Sequence, residues 1–142
     1  MPSQGKTYTD LTFTGTGTSS SVDGGETVLS GARDFPTGTT EASVMIEASI
    51  QDNTDGDSTD TLDVWAVYSN GEMNTGGDDY ESEANYHHIG RLDLDPTTSG
   101  SSIYGHFPLP YVTSEAYQIA VTCNSTTHDM EVDGRLCEVT WT

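Results

Sequence analysis

The sequence predicts an all-β chain: an antiparallel β-sandwich, jelly-roll-like in its connections, of about eight strands. Three observations predict it. Short segments alternate apolar and polar residues with a period of two. Clusters of Gly, Pro, Asn, Asp and Ser separate those segments, and no stretch carries a convincing 3.6-residue apolar period. Strands that are apolar on one face have to bury that face, and two packed sheets do so.

Taken in order, residues 1–21, with their TFTGTGTSSS run, read as an extended N-terminal arm, and residues 22–142 as the sandwich domain. Val44, Ile46, Ala48 and Ile50 form one face of a strand, with Ser43, Met45, Glu47 and Ser49 on the other. Leu62, Val64, Ala66 and Tyr68 repeat the pattern against Asp63, Trp65, Val67 and Ser69. Tyr117, Ile119, Val121 and Cys123 do so again, as do Cys137, Val139 and Trp141. Weaker strands are expected over residues 8–14, 26–32, 88–94 and 102–109, and at most one turn of helix within 79–85. The long stretches at 70–87 and 95–101 fit crossovers better than tight hairpins.

The 142 residues carry 23 acidic against 4 basic side chains, a net charge of −19. Such a surface repels phosphate backbones and anionic lipid, so neither nucleic acid nor a membrane is an expected partner. No apolar run approaches the length of a membrane span. The opening MPSQGKTYTD has neither the basic nor the apolar region of a secretory signal, so the chain is expected to act where it is made or to leave the cell without a cleaved signal. Asp outnumbers Glu 14 to 9 and there is a single Lys. In dilute buffer that charge would destabilise a compact domain. At ~1 M salt the screening length falls to roughly 3 Å and the repulsion fades. The composition therefore reads as adaptation to molar salt. Low hydropathy and high charge also mark disordered chains; two Trp, seven Tyr and the patterned strands favour a folded domain.

Several groups are candidates for chemistry. If the last two strands pair in one sheet, Cys123 faces Cys137, Val121 faces Val139 and Ile119 faces Trp141, and a disulfide fits. If those strands lie in opposite sheets, the same cysteines meet across the core as free thiols, which the buried habit of Cys favours. No Cys or His spacing suggests zinc. His87 and His88 point to opposite faces of a strand; with His106 and His128 they read as incidental. The loop DNTDGDSTD offers Asp52, Asp55, Asp57 and Asp60 as hard oxygen ligands for Mg²⁺ or Ca²⁺, without the regular spacing of the familiar Ca²⁺ loop. No other cofactor is expected. Asp78, Asp79, Glu81 and Glu83 form a second acidic stretch. No nucleophile motif appears, and no carboxylate sits in an apolar setting that would raise its pKa, since Glu47 and Asp63 face outward. No enzymatic activity is expected. Asn124-Ser125-Thr126 is a formal glycosylation sequon and reads as a turn.

Trp65 and Val67 make their strand apolar on both faces, so either the 70–87 crossover or another subunit covers them. Tyr104 and Tyr111 join them as interface candidates, with Tyr80 and Tyr86 also not assignable to the inner face.

The segments ASVMIEASI (42–50), TLDVWAVYSNG (61–71), IYGHFPLPYV (103–112) and YQIAVTCNS…GRLCEVTW (117–141) give the chain a texture that resembles the jelly-roll structural proteins of haloarchaeal tailed viruses. The resemblance covers the body from about residue 22 and brings no catalytic or ligand motif. It implies a non-enzymatic virion protein, a capsid decoration or turret subunit, assembled as a trimer or pentamer with other capsid or tail proteins. It also implies assembly in the host cytoplasm and a virion location exposed to brine. A tail or baseplate protein touching the host surface is the neighbouring expectation. A halophilic carbohydrate-binding module, with Trp65, Tyr104 or Tyr111 stacking on a host-surface glycan, is a third from another class.

Overall fold

The computed structural model describes residues 3–13, 21–68, 86–112 and 116–141. Nine strands are found among them: β1 (Gln4–Leu11), β2 (Ser21–Val22), β3 (Thr27–Leu29), β4 (Thr39–Ile50), β5 (Thr61–Tyr68), β6 (Tyr86–Asp93), β7 (Ser102–Pro108), β8 (Tyr117–Cys123) and β9 (Met130–Trp141). They form two antiparallel sheets, one ordered β1-β9-β4-β7 with β2 also pairing β9, the other ordered β3-β8-β5-β6. The chain changes sheet between β2 and β3, β3 and β4, β4 and β5, β6 and β7, β7 and β8, and β8 and β9. The expected β-sandwich with jelly-roll-like crossovers is the fold observed. The predicted helical turn at 79–85 lies outside the described residues.

Alternation drives the packing. Val44, Ile46 and Ala48 of β4 and Met130, Val132 and Leu136 of β9 face Leu62, Val64, Ile119 and Val121 of β5 and β8; every one is at most 1% exposed. Each such side chain contributes roughly 1.5–3 kcal/mol by leaving water, and together they form the layer between the sheets. At the β6/β7 edge the ring of Phe107 takes the space of two absent side chains. A Cβ on Gly90 would lie 2.1 Å from that ring, and one on Gly105 2.4 Å.

Of residues 1–21, expected as an N-terminal arm, the described ones pair with or pack into the body. Gln4–Leu11 runs along β9 from Trp141 to Gly134, Ser21 and Val22 continue on the same strand at Glu131 and Met130, and Phe13 is 1% exposed in the core.

The last strand also differs from its expected parity. Its inward residues are Met130, Val132, Leu136 and Glu138, while Cys137, Val139 and Trp141 lie on the outer face of the first sheet. The reason is a buried charge. Glu138, 0% exposed, accepts hydrogen bonds from Arg33 Nε at 3.0 and 3.2 Å, from Arg33 Nη2, and from the Tyr117 hydroxyl at 3.0 Å. Tyr117 in turn stacks on Phe35, ring centroids 4.0 Å apart. Of the two arrangements expected for the cysteines, the free thiols on strands of opposite sheets are found, but they do not meet across the core. β8 and β9 belong to different sheets, Cys123 is buried between the layers, Cys137 is half-buried on the outside, and both are free thiols. The Cys123–Cys137 disulfide is excluded because the first sheet stands between the two sulfurs.

Candidate functional site

Three places gather polar or exposed groups: the outer face of each sheet and the end of the sandwich where connections cross.

The outer face of the first sheet is built by register. Asp10, Arg135, Met45 and His106 share one row across β1, β9, β4 and β7. Tyr8, Cys137 and Ser43 form the next row toward one end, and Asp133, Glu47 and Tyr104 lie toward the other. Tyr8 is 61% exposed, Tyr104 63%, Trp141 46% and Met45 42%, four large side chains on one face of a chain with few apolar residues. An open groove of about 450 Å³ passes over Lys6, Tyr8, Met45, His106, Arg135 and Cys137, and a second of about 260 Å³ meets it at Met45 and Arg135 and reaches Tyr104. Arg135 Nε donates to Asp10 at 2.9 Å. Hydrogen bonding to Glu47 pushes the Tyr104 phenol above its ordinary pKa, so the phenol stays protonated and donates.

On the outer face of the second sheet, Trp65 is half-buried. Its indole N–H donates to the Thr122 hydroxyl at 3.1 Å, and its ring meets His88 and Tyr86 edge-on at 5.0 and 6.1 Å. Val67 is 0% exposed, so this chain alone already covers it and it offers no interface. Beside them sits Asp63, buried although it faces outward. Arg91 binds it through two nitrogens at 2.8 and 2.9 Å, His88 Nε2 lies 2.8 Å away, and the Asn124 side-chain amide donates at 2.8 Å. Burial alone would raise the Asp63 pKa, but hydrogen bonds from Arg91, Asn124 and His88 outweigh it and hold the carboxyl well below the usual range. Asn124 also donates to Thr61 Oγ1, so the sequon amide is tied to β5.

The sign of the pH effect follows. Asp63 binds its proton less readily in the folded chain than in the unfolded one, so its stabilisation is complete above the unfolded value, about 3.9, and is lost as pH falls through it toward the lower folded value. Asp63→Asn is expected to cost about 2 kcal/mol at pH 7, the scale of charge-assisted hydrogen bonds. Its penalty shrinks between pH ~5 and ~2, which urea titrations across that range measure; a penalty constant with pH would contradict the assignment.

Tyr111, 43% exposed, stacks on Tyr68 at 4.3 Å, and its hydroxyl meets His87 Nε2 at 2.8 Å. Its carbonyl accepts from the Tyr68 hydroxyl, whose pKa burial pushes up to about 12. Trp65, Tyr104 and Tyr111 thus lie in three different places and form no common stacking platform. Only Tyr104 belongs to the broad exposed face, whose other members Tyr8, Met45 and Trp141 were not candidates. The outward register of Met45 in the 43–50 alternation was the signal for that face.

The acidic loop divides. Asp52 lies in a short 3-10 turn with φ 65°, and Asp55 accepts the Ser99 N–H at 2.8 Å; neither joins a cluster of donors among the described residues. Asp57 and Asp60 do converge, on His128 from the β8–β9 connection, their donor atoms all within 4.8 Å of one another. His128 Nδ1 stands 2.8 Å from Asp60 Oδ2 and 3.6 Å from Asp57 Oδ2. Hydrogen bonds from Thr127 and Thr59 lower the Asp57 pKa to about 2. The loop Asp78, Asp79, Glu81 and Glu83 lies outside the described residues. His87 and His88 do occupy opposite faces of β6, as their adjacency implied, and His106 Nε2 meets Ser43 Oγ at 2.9 Å.

No family model matches the chain, and no curated protein matches it. Among solved structures it is similar to the C-terminal CBM6 of LamC, a marine laminarinase from Zobellia galactanivorans. The identity is 9% and the TM-score 0.42, over 94% of this chain and 98% of that one.

Proposed function

We propose that this chain is a non-enzymatic structural subunit of a halophilic tailed virus, a capsid decoration or turret protein that joins further copies of itself through the outer face of its first sheet. The observation that carries the reading is that face: Tyr8, Met45, Tyr104 and Trp141 stand exposed together on a domain of net charge −19. Concentrated salt screens the charge and strengthens apolar burial, so such a face associates in brine. Its charges suit self-pairing, because Lys6 and Arg135 lie on the same face as Glu41, Glu47 and Asp133 and each copy offers both signs. The resemblance in texture to haloarchaeal virion proteins supplies the setting: assembly in the host cytoplasm, then a particle surface in brine, in contact with other capsid or tail proteins.

A glycan platform is the second reading, favoured by two exposed tyrosines beside Arg135, Glu47 and Asp133 along open grooves. Sedimentation and light scattering in ~2 M salt separate the two. The expected result is a trimer or pentamer, with Tyr8→Ser and Tyr104→Ser together weakening association at least about tenfold, the loss of two aromatic anchors. A strict monomer that binds neutral oligosaccharides in the micromolar range, and loses them with the same substitutions, would replace the assembly reading with the carbohydrate-binding one.

A further inference from the structure

We infer that Asp57, Asp60 and His128 form a binding site for one first-row divalent cation of the Mn²⁺ or Zn²⁺ class, which clamps the β4–β5 connection to the β8–β9 connection. Two independent observations carry this. The first is convergence: residues 68 and 71 positions apart in sequence place an imidazole nitrogen and two carboxylate oxygens within 4.8 Å of one another. The second is an unmet oxygen. Asp60 is 0% exposed, its Oδ2 accepts the Asp57 N–H at 2.7 Å and contacts His128 Nδ1, and its Oδ1 has no hydrogen-bond partner among the described residues. A buried carboxylate oxygen left unsatisfied costs free energy, and an ion at this carboxylate would satisfy it.

The donors choose the class of ion. Mg²⁺ and Ca²⁺ favour shells made of oxygen, whereas an imidazole among carboxylates favours first-row transition ions. Bonds of about 2.0–2.2 Å require the three donors to close slightly around the metal. On binding, the metal takes the place of the proton that His128 Nδ1 and Asp60 Oδ2 share, and that proton leaves to solvent. The surrounding groups already orient the donors. Thr127 Oγ1 and Thr59 hold the Asp57 carboxylate, and Ser125 Oγ accepts the His128 backbone N–H at 2.8 Å. The His128 and Asp57 side chains are 22% and 38% exposed, which gives the ion a route in and leaves positions for water. Because β4 and β9 belong to the first sheet and β5 and β8 to the second, the ion would join the two crossovers at one end of the sandwich.

The test uses the full chain, stripped with EDTA, in ~2 M NaCl. Titration with Mn²⁺, followed by the resonance of the free ion, is expected to give one ion per chain with a micromolar dissociation constant and a raised melting temperature. Mg²⁺ and Ca²⁺ are expected to bind at least about tenfold more weakly. Asp57→Asn and His128→Gln should each weaken Mn²⁺ at least about tenfold, while Cys137→Ser leaves it unchanged. Asp57 is partly exposed, so its variant stays informative if the His128 variant fails to fold. No saturable binding below about 1 mM Mn²⁺, the result expected if water alone serves Asp60, would overturn the inference. So would equal affinity in the Asp57 variant.

Discussion

Arg33→Ala is expected to destabilise the domain by about 3–5 kcal/mol, the cost of leaving a buried charge without its partner. Glu138 is fully buried between the sheets, and among the described residues its carboxylate is answered by Arg33 and the Tyr117 hydroxyl. Removing the guanidinium leaves a desolvated anion that has to take up a proton or draw in water. Burial and then the Glu138 charge both push the Tyr117 hydroxyl toward keeping its proton, so it remains a donor but supplies no countercharge. Glu138→Gln is expected to cost less, because the amide oxygen still accepts from Tyr117 and Arg33 is 28% exposed and can reach water. The double change to leucine at both positions should lie closer to the parent than Arg33→Ala does, since a packed apolar pair carries no desolvation penalty. Urea denaturation in constant molar salt measures all three. A loss under about 1 kcal/mol for Arg33→Ala would mean that the pair is solvated, not buried.

Lowering the salt is expected to have the larger effect still: dialysis from ~2 M to ~0.05 M NaCl should unfold the chain. Three of the four basic side chains are engaged with a carboxylate each, Arg33 with Glu138, Arg91 with Asp63 and Arg135 with Asp10. The surplus of acid on the remaining surface is left for screening by ions. As the Debye length grows from roughly 3 Å at 1 M to 10 Å at 0.1 M, exposed carboxylates repel across the whole domain. Circular dichroism and the emission of Trp65 and Trp141 report the transition. Sucrose at low ionic strength should not restore the fold if charge is the cause, whereas KCl should. A spectrum unchanged at ~0.05 M salt would remove the argument for salt adaptation.

The fold was legible in the sequence wherever one strand face is wholly apolar. β4, β5 and β8 turn inward the faces read for them, because apolar side chains occupy every second position, although Asp63, Val67 and Ala120 on the opposite faces of β5 and β8 are buried as well. β9 was misread at its end for a physical reason. Cys137, Val139 and Trp141 look like a buried face, yet Glu138 is the inward residue, and only Arg33 and Tyr117, more than twenty positions away in sequence, make that tolerable. The same distance hid part of the cation site. Asp57 and Asp60 were visible in an acidic loop, but nothing local marks His128 as their partner. Trp65 was rightly seen as outward; its cover by Tyr86, His88 and Thr122 is a matter of strand order, which periodicity does not encode. The exposed face of the first sheet escaped because exposure of Tyr8 and Trp141 depends on which edge β1 takes.

The position of β9 also bears on how the chain acquires its shape. This strand is hydrogen-bonded to β1, β2 and β4 and is the hub of the first sheet, yet it is the last of the nine in chain order. During synthesis the β4–β7 ribbon and most of the second sheet can pair early, but β1 has to wait, some 120 residues or more, for residues 130–141 to emerge. Closing so long a loop is slow, and until then the ribbon edges stay open to wrong partners. Refolding should therefore be limited by docking of the C-terminal strand, and truncation inside it should leave an aggregating intermediate in place of a smaller native domain.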